Sequence, residues 1–556
     1  MRLMKHFFQS VLTVCLAVLL AACGPAATPA PTAVPTAPPV PTQPPAPTAT
    51  PAPAGPWWGD TVFYEIFVRS FKDSDGDGVG DFNGITEQLD YLQGLGVKGL
   101  WLMPIHPSPS YHGYDVTDYY GVNPDYGTLD DFKNLLAAAH ARDIKIIIDL
   151  VLNHTSAQHP WFRQARQGQS EYKDWYIWSD TDPGFLGPWN AQAWHKASNG
   201  QYYYAIFWDQ MPDLNYDNPD VRAEVNKITA FWLQDVGIDG FRLDAIRYLD
   251  EDGRVLQDSD TTHAYLKDWG TYYRSLNPQA FTVGEVWTDN YNVAPYTRSG
   301  DELTAAFNFD LSTSLLKGLG SGDGALIDFV LGATLQLFPD QTNANFLTNH
   351  DMNRAASYAG PDPLGQGKAA AAVLLTAPGI PFLYYGEEIG MTGVKPDERL
   401  RTPMQWTGEP KAGFTTGTPW QMINSDYKER NVAGQTGDPD SLLEHYRALI
   451  ALRNAHPALR GGATSMVDAD SRRLVTYLRA SPDETVLVVI NVDDNAVSDY
   501  TLTLDKGPLT TVSTVTPLFG EGEAVAPVVN AAGGFDAYTP VAEIPPYGVL
   551  ILQLTP

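Results

Sequence analysis

Arg242 and Asp244 stand two positions apart in the short stretch Gly237–Ile246. Side chains alternate along an extended strand, so both would emerge on one face, with Phe241, Leu243 and Ala245 on the other. A guanidinium beside a carboxylate either closes a turn as an ion pair or holds an acid ionised for chemistry. Two further acids decide between these readings. Glu285 ends the apolar stretch Phe281–Val286, and Asp351 follows Asn345–Asn349 with His350 beside it. Asn153 and His154 follow a third apolar stretch, Ile144–Val151. A lone acid at a strand end usually caps a helix or closes a salt bridge. Acids at matching ends of several strands instead converge on one rim. Paired carboxylates among aromatics, without a histidine metal cluster, suit glycoside hydrolysis. One acid must stay ionised to attack, and Arg242 would hold the pKa of Asp244 down for that purpose. The other must carry a proton, and Glu285, flanked by Val286 and Trp287, has the more apolar setting.

The elements that must position these residues alternate regularly. Strands are predicted at Thr61–Val68, Gly99–Pro104, Ile144–Val151, Gly237–Ile246, Phe281–Val286, Ala305–Phe309, Asn345–Asn349 and Pro381–Tyr385. Helical periodicity falls between them at Ile85–Leu95, Leu129–Ala141, Val221–Asp235, Ala264–Leu276, Leu326–Phe338 and Ala369–Thr376, with Leu442–Ala455 as a closing helix. Eight such units predict an α/β fold, a (β/α)₈ TIM barrel over 57–461. A segment rich in Trp, Tyr and Gly, about 154–215, interrupts the alternation after the third strand as an inserted domain. From 462 to 556 strands such as Leu474–Leu478, Thr485–Ile490 and Val549–Gln553 follow one another without helices, which predicts a C-terminal β-sandwich.

The first 56 residues are of another kind. A basic start, Met1 to Lys5, and an apolar run, Val11 to Ala22, read as a signal peptide over 1–23. Its end, Leu20 to Cys23, resembles a bacterial lipoprotein cleavage box, which makes Cys23 the lipidation site. Residues 24–56, nearly all Pro, Ala and Thr, form an extended linker. Both cysteines, Cys15 and Cys23, lie in this region, so a disulfide framework is excluded from the rest. The expected location is extracytoplasmic, lipid-anchored to the cell envelope or released outside the cell. The formal charge of −29 argues against nucleic acid and anionic lipid surfaces as partners, while allowing bound cations. The expected state is a monomer.

Asp73, Asp75, Asp77 and Asp81, with the Val79 carbonyl, follow the spacing of the first part of an EF-hand loop. Position twelve is Gly84 rather than Glu, so the loop is not a full EF-hand. The predicted cofactor is Ca²⁺.

Asp149–His154, Gly240–Asp244, Gly284–Trp287 and Phe346–Asp351 resemble, in order, the four signature regions of the α-amylase family, glycoside hydrolase family 13. The resemblance covers Trp57 to Pro556. It implies a retaining mechanism with Asp244 as nucleophile, Glu285 as general acid/base and Asp351 as stabiliser of the transition state. It further implies that His154, Arg242 and His350 contact the sugar at the cleavage point and that Tyr114 stacks on it. Met211–Asn215 resembles a fifth region, intermediate between oligo-1,6-glucosidase and neopullulanase versions, and Arg401–Trp406 is glucosidase-like. Exo-glucosidases of the family carry an Asp three residues before the stacking Tyr, where this chain has Tyr111. Ala245, after the nucleophile, resembles α-1,4-specific members. The resemblance therefore implies a lipoprotein α-amylase acting within starch, glycogen and maltooligosaccharides. An exo-acting α-glucosidase or oligo-1,6-glucosidase-like enzyme is the alternative. A non-catalytic carbohydrate-binding lipoprotein is the remote one, since such relatives lose the three acids. The α-amylase calcium site near the inserted domain normally takes a His four residues after the nucleophile, and that place is Tyr248.

Overall fold

The computed structural model describes residues 56–168 and 170–556. The predicted signal peptide, Cys23 and nearly all of the linker lie outside these residues.

Eight parallel strands close into a barrel in chain order, from Phe63–Ile66 through Gly99–Leu102, Lys145–Leu150, Gly240–Leu243, Phe281–Gly284, Ala305–Phe307 and Asn343–Phe346 to Ile380–Tyr384. Period-two alternation sorts their side chains. Tyr64, Leu100, Ile146, Ile148, Phe241 and Leu243 join the core packed beneath the surrounding helices. Phe63, Trp101, Ile147, Phe281, Val283, Phe307 and Phe382 fill the barrel itself. The rings of Phe63 and Phe382 stack at 4.5 Å, so the lower barrel is a dry plug and polar chemistry is confined to its upper rim. Register carries the fourth strand to that rim. Asp149 pairs with Arg242, and Leu243 with Gly284, which sets Asp244 and Glu285 side by side one residue later. Gly240 permits this approach, because a Cβ there would lie 1.9 Å from the Phe281 carbonyl oxygen.

Several boundaries differ from expectation for local reasons. The predicted helix Ile85–Leu95 is two helices, Phe82–Glu87 and Leu89–Leu95, the first capped by the Asp81 carboxylate on the Gly84 N–H. The helix before the fourth strand runs Pro219–Ala230 and continues as a π turn, Phe231–Val236. The sixth strand stops at Phe307, since Asn308 caps a helix beginning at Phe309. The fourth strand stops at Leu243. Ala245 does not continue its apolar face but takes a left-handed conformation, φ +48°, and packs with Trp194, Tyr204 and Tyr248.

Between the third and fourth strands lies a small antiparallel sheet, Trp178–Ser179, Trp194–Lys196 and Tyr202–Tyr204. From Ala463 onward the chain forms a five-stranded antiparallel sheet and a three-stranded one over a separate core that includes Leu478, Leu487, Phe535 and Leu552. Buried Arg479 ties this region to the barrel by donating to the Thr376 carbonyl at 2.7 Å. Among the described residues no helix is long and apolar enough to cross a membrane.

Candidate active site

Arg242 is the fixed point of the rim. It is fully buried, with its guanidinium 5.1 Å from the centre of the Trp101 ring. Its Nη1 donates to both oxygens of Asp149, at 2.9 and 3.0 Å, and to Asp244 Oδ1 at 2.8 Å. Its Nη2 stands 2.9 Å from Glu285 Oε2 as an ion pair. One cation thus serves three carboxylates. The left-handed turn at Ala245 aims that residue's N–H at the same Glu285 oxygen, 3.0 Å away.

This sharing corrects the expected electrostatics of Asp244. Arg242 does lower its pKa, but burial outweighs it, with Asp149 and Asp351 adding repulsion, and the carboxyl is raised to about 6. Glu285 is raised further, to about 7, by burial and by Asp244 and Asp351, against the pull of Arg242. Both carboxyls are thus raised chiefly by burial, and both are pulled down by Arg242.

Asp351 lives in opposite surroundings. Its Oδ1 accepts from Arg401 Nη2 at 2.6 Å and its Oδ2 lies 3.2 Å from His350 Nε2. Burial would raise its pKa, yet His350 and Arg401 together hold it far below the usual carboxylate range. His350 is raised to about 10, because Asp351 and Glu65 overcome the burial that would discharge it. Its Nδ1 lies 2.5 Å from Glu65 Oε1.

The predicted site residues come together, at two depths. Tyr114, His154, Asp244, Glu285 and Asp351 line one cleft of about 570 Å³. Arg242 and His350 lie behind that wall, both wholly buried. Tyr114 joins the two depths. Its hydroxyl lies 3.0 Å from Asp149 Oδ2 and 2.7 Å from His350 Nε2, and its ring stacks on that of His350 at 5.5 Å. His154 Nε2 lies 3.2 Å from the Tyr114 carbonyl oxygen, and burial lowers its pKa to about 4, so it is neutral.

Four participants were not assigned roles from sequence. Asp149 sits within a recognised motif, and Glu65 is the one acid in the first strand; alternation alone puts it on the face of Phe63. Arg401 comes from an irregular loop without period. Trp287, half-exposed on the cleft wall and stacked on Phe309 at 4.8 Å, offers a flat face for a sugar ring. Tyr111 fills the place discussed above as an exo-enzyme clamp. It stacks on Trp420 at 5.4 Å, and the Arg401 guanidinium lies 5.7 Å from its ring centre.

In the acidic loop Asp73, Asp75 and Asp81 bring carboxylate oxygens within 4.8 Å of one another. An all-oxygen donor set of three carboxylates fits a hard cation. Asp77 lies outside this group; its Oδ1 accepts from the Val79 N–H at 2.7 Å, as Asp75 Oδ1 accepts from the Asp77 N–H at 3.0 Å. Asp73 accepts from Gly76 and Gly78 backbone N–H groups at 2.7 and 2.9 Å and from the Thr415 hydroxyl. The loop is therefore fastened to the segment that carries Trp420, whose N–H donates to the Gly78 carbonyl at 2.9 Å.

Residues 65–462 match the family model described as "Alpha amylase, catalytic domain". The chain is 43% identical over 447 residues to "Alpha-amylase 3" of Dictyoglomus thermophilum, covering 79% of this chain and 86% of that one. It is 34% identical over 518 residues to an "Oligo-1,6-glucosidase" of Heyndrickxia coagulans, covering 80% and 93%. The solved structure of an alpha-amylase from H. orenii superposes with a TM-score of 0.77 at 38% identity, over 89% of this chain and 99% of that one.

Proposed function

The chain belongs to the α-amylase family of glycoside hydrolases, and on that premise we propose that it cleaves α-1,4-glucosidic bonds within starch-like glucans. Asp244 attacks the anomeric carbon while Glu285 protonates the departing glycosidic oxygen. The covalent glycosyl-enzyme is then opened by water, with Glu285 now taking the proton. Asp351, held anionic by His350 and Arg401, grips the sugar hydroxyls and strengthens that grip as the ring flattens towards the oxocarbenium ion. The observation that carries the assignment is the convergence of Asp244 and Glu285 on one buried arginine in the cleft that Asp351 also lines.

Internal cleavage of α-1,4 bonds is supported by three observations. Tyr111 stands where exo-glucosidases of the family carry their clamping Asp, Ala245 follows the nucleophile, and the relative at 43% identity is named an alpha-amylase. The oligo-1,6-glucosidase relative and Arg401 beside Asp351 favour a second reading, an exo-acting glucosidase. A time course of products from soluble starch and pullulan separates them. Mixed maltooligosaccharides support the first reading, and glucose alone overturns it.

The loop Asp73, Asp75 and Asp81 holds Ca²⁺ in this reading, which would neutralise three converging carboxylates and pin the loop to the cleft wall. A ligand bound only by the native state stabilises it, so excess chelator should lower the melting temperature, by about 2.7 kcal/mol of stability at a hundredfold excess of calcium over its Kd. An unchanged melting temperature would dismiss the site. Cys23 anchors the protein at the cell envelope in the same reading. Cys23→Ser should release the enzyme from the membrane fraction, and retention of the variant there would refute the anchor.

A further inference from the structure

We propose that Glu65, a carboxylate that never reaches the cleft, is a positioning residue that keeps His350 doubly protonated and so holds Asp351 in place for the sugar. The inference rests on the reading that Asp351 stabilises the transition state.

Glu65 lies in the first barrel strand, 2% exposed, between Trp101 and Tyr384 in register. Alternation turns it inward with Phe63, just above the aromatic plug. Its Oε1 is 2.5 Å from His350 Nδ1. The opposite ring nitrogen, Nε2, faces two oxygens, the Tyr114 hydroxyl at 2.7 Å and Asp351 Oδ2 at 3.2 Å. A neutral imidazole has one N–H and one lone pair, so one of these anionic faces would meet a lone pair. Only the imidazolium donates on both sides. The donor directions then close consistently. Nδ1–H donates to Glu65 and Nε2–H to Asp351 and the Tyr114 oxygen, which frees the Tyr114 hydroxyl to donate to Asp149 at 3.0 Å. The remaining neighbours of His350 are the Trp101 ring, edge-on at 5.6 Å, and Arg401, whose Nε donates to the His350 carbonyl at 3.0 Å. Arg401 and Arg242 repel an imidazolium, and burial disfavours it. Two carboxylates, Glu65 and Asp351, are what sustain it. Removal of Glu65's charge leaves one.

Glu65→Gln keeps the shape and an acceptor oxygen but removes the charge. His350 should then lose its proton near neutrality, and its lone pair would face Asp351. The test is the ratio of variant to wild-type kcat on maltooligosaccharides between pH 5 and 8. The ratio should fall roughly tenfold at pH 8 and climb towards one at pH 5, where His350 recovers its proton. Glu65→Asp restores the charge and should give a ratio that does not vary with pH. A Glu65→Gln ratio flat across this range, at equal melting temperature, would reduce Glu65 to a packing residue and overturn the proposal.

A second readout does not require activity. In protein labelled at its imidazole nitrogens, the His350 signals, assigned by their loss in His350→Gln, should report two N–H groups in the wild type at pH 8. A neutral His350 there overturns the proposal even if Glu65→Gln fails to fold. If the wild type left α-glucans intact, the function above would fail, while comparison of the His350 signals of wild type and Glu65→Gln at pH 8 would still decide the role of Glu65.

Discussion

The cleft floor has two halves that hold acids in contrary ways. Around Arg242, one cation faces Asp149, Asp244 and Glu285. Around Asp351, two cations, His350 and Arg401, face three carboxylates, Asp351, Glu65 and the half-exposed Asp397. Asp244 and Glu285 are buried while the Asp351 side chain is 29% exposed, so the halves differ both in burial and in the ratio of charges. Burial pushes Asp244 and Glu285 up to about 6 and about 7, and one shared arginine does not offset it, so both can exchange protons near neutrality. Two cations in direct contact, His350 and Arg401, hold Asp351 far below the carboxylate range, where it stays an anion throughout. Proton-transferring groups need a poised pKa; a group that stabilises developing positive charge needs a fixed one.

The largest expected effects test whether the halves differ in kind. Asp244→Asn should lower kcat by about 10⁴-fold or more, since the covalent step is lost. Glu285→Gln should cost about 10²–10⁴-fold and erase the limb of the pH–rate profile near pH 7. Asp351→Asn should cost a comparable ~10²–10³-fold and keep that limb, moved to lower pH because the repulsion that Asp351 exerts on Glu285 is gone. A profile for Asp351→Asn that lost its alkaline limb would show that the two halves titrate as one.

Next in size is the width of the bell itself. With Asp244 ionised above about 6 and Glu285 protonated below about 7, kcat/KM should peak between these values; the pair titrates jointly, so the limbs belong to both. Arg242→Lys replaces a fork by a point charge that cannot reach three carboxylates. The acid limb should move upward and peak activity should fall by roughly tenfold or more. Arg401→Lys should leave both limbs, because His350 still balances Asp351. Unmoved limbs in Arg242→Lys would mean that Arg242 does not set the level at which the pair titrates.

Much of this was legible in the sequence, and the exceptions share a cause. Strand period put Arg242 and Asp244 on one face, and the spacing of apolar runs put Asp244, Glu285 and Asp351 at strand ends; register then joined them. Glu65 was read only as part of an apolar strand, because its partner His350 is 285 residues away. Arg401 lies in a loop with no periodicity to place it. The pKa of Asp244 was expected to fall because its nearest charge in sequence is Arg242. Its actual rise depends on burial, and Asp149, on the neighbouring strand, already occupies the same guanidinium. Ala245 was assigned to the strand by alternation, but the chain leaves the strand one residue earlier and spends that position's N–H on Glu285. Local pattern therefore located the groups, while their charge states depended on contacts that only closure of the barrel creates.

The smallest expected effect is on stability, and its sign differs between the halves. The folded pKa of Asp244, raised by burial to about 6, lies above the ordinary aspartate value of 3.8. Its protonated form is thus the one favoured by the fold. The stability this contributes is full below the unfolded pKa and is lost as pH rises through about 6. At pH 8 the native state holds an anion it would rather not, and Asp244→Asn relieves it. Asp351 runs the other way: its folded pKa lies below the unfolded one, so its contribution is present above the unfolded value and disappears only as the solution is made strongly acid. At pH 8 Asp244→Asn should therefore melt above the wild type and Asp351→Asn below it, each by about 1–3 °C. The Asp244→Asn gain should close as pH falls to about 4, near the unfolded carboxylate pKa. Shifts of the same sign for both variants at pH 8 would mean that the unequal charge ratio around Arg242 and Asp351 does not govern how the fold tolerates its own active site.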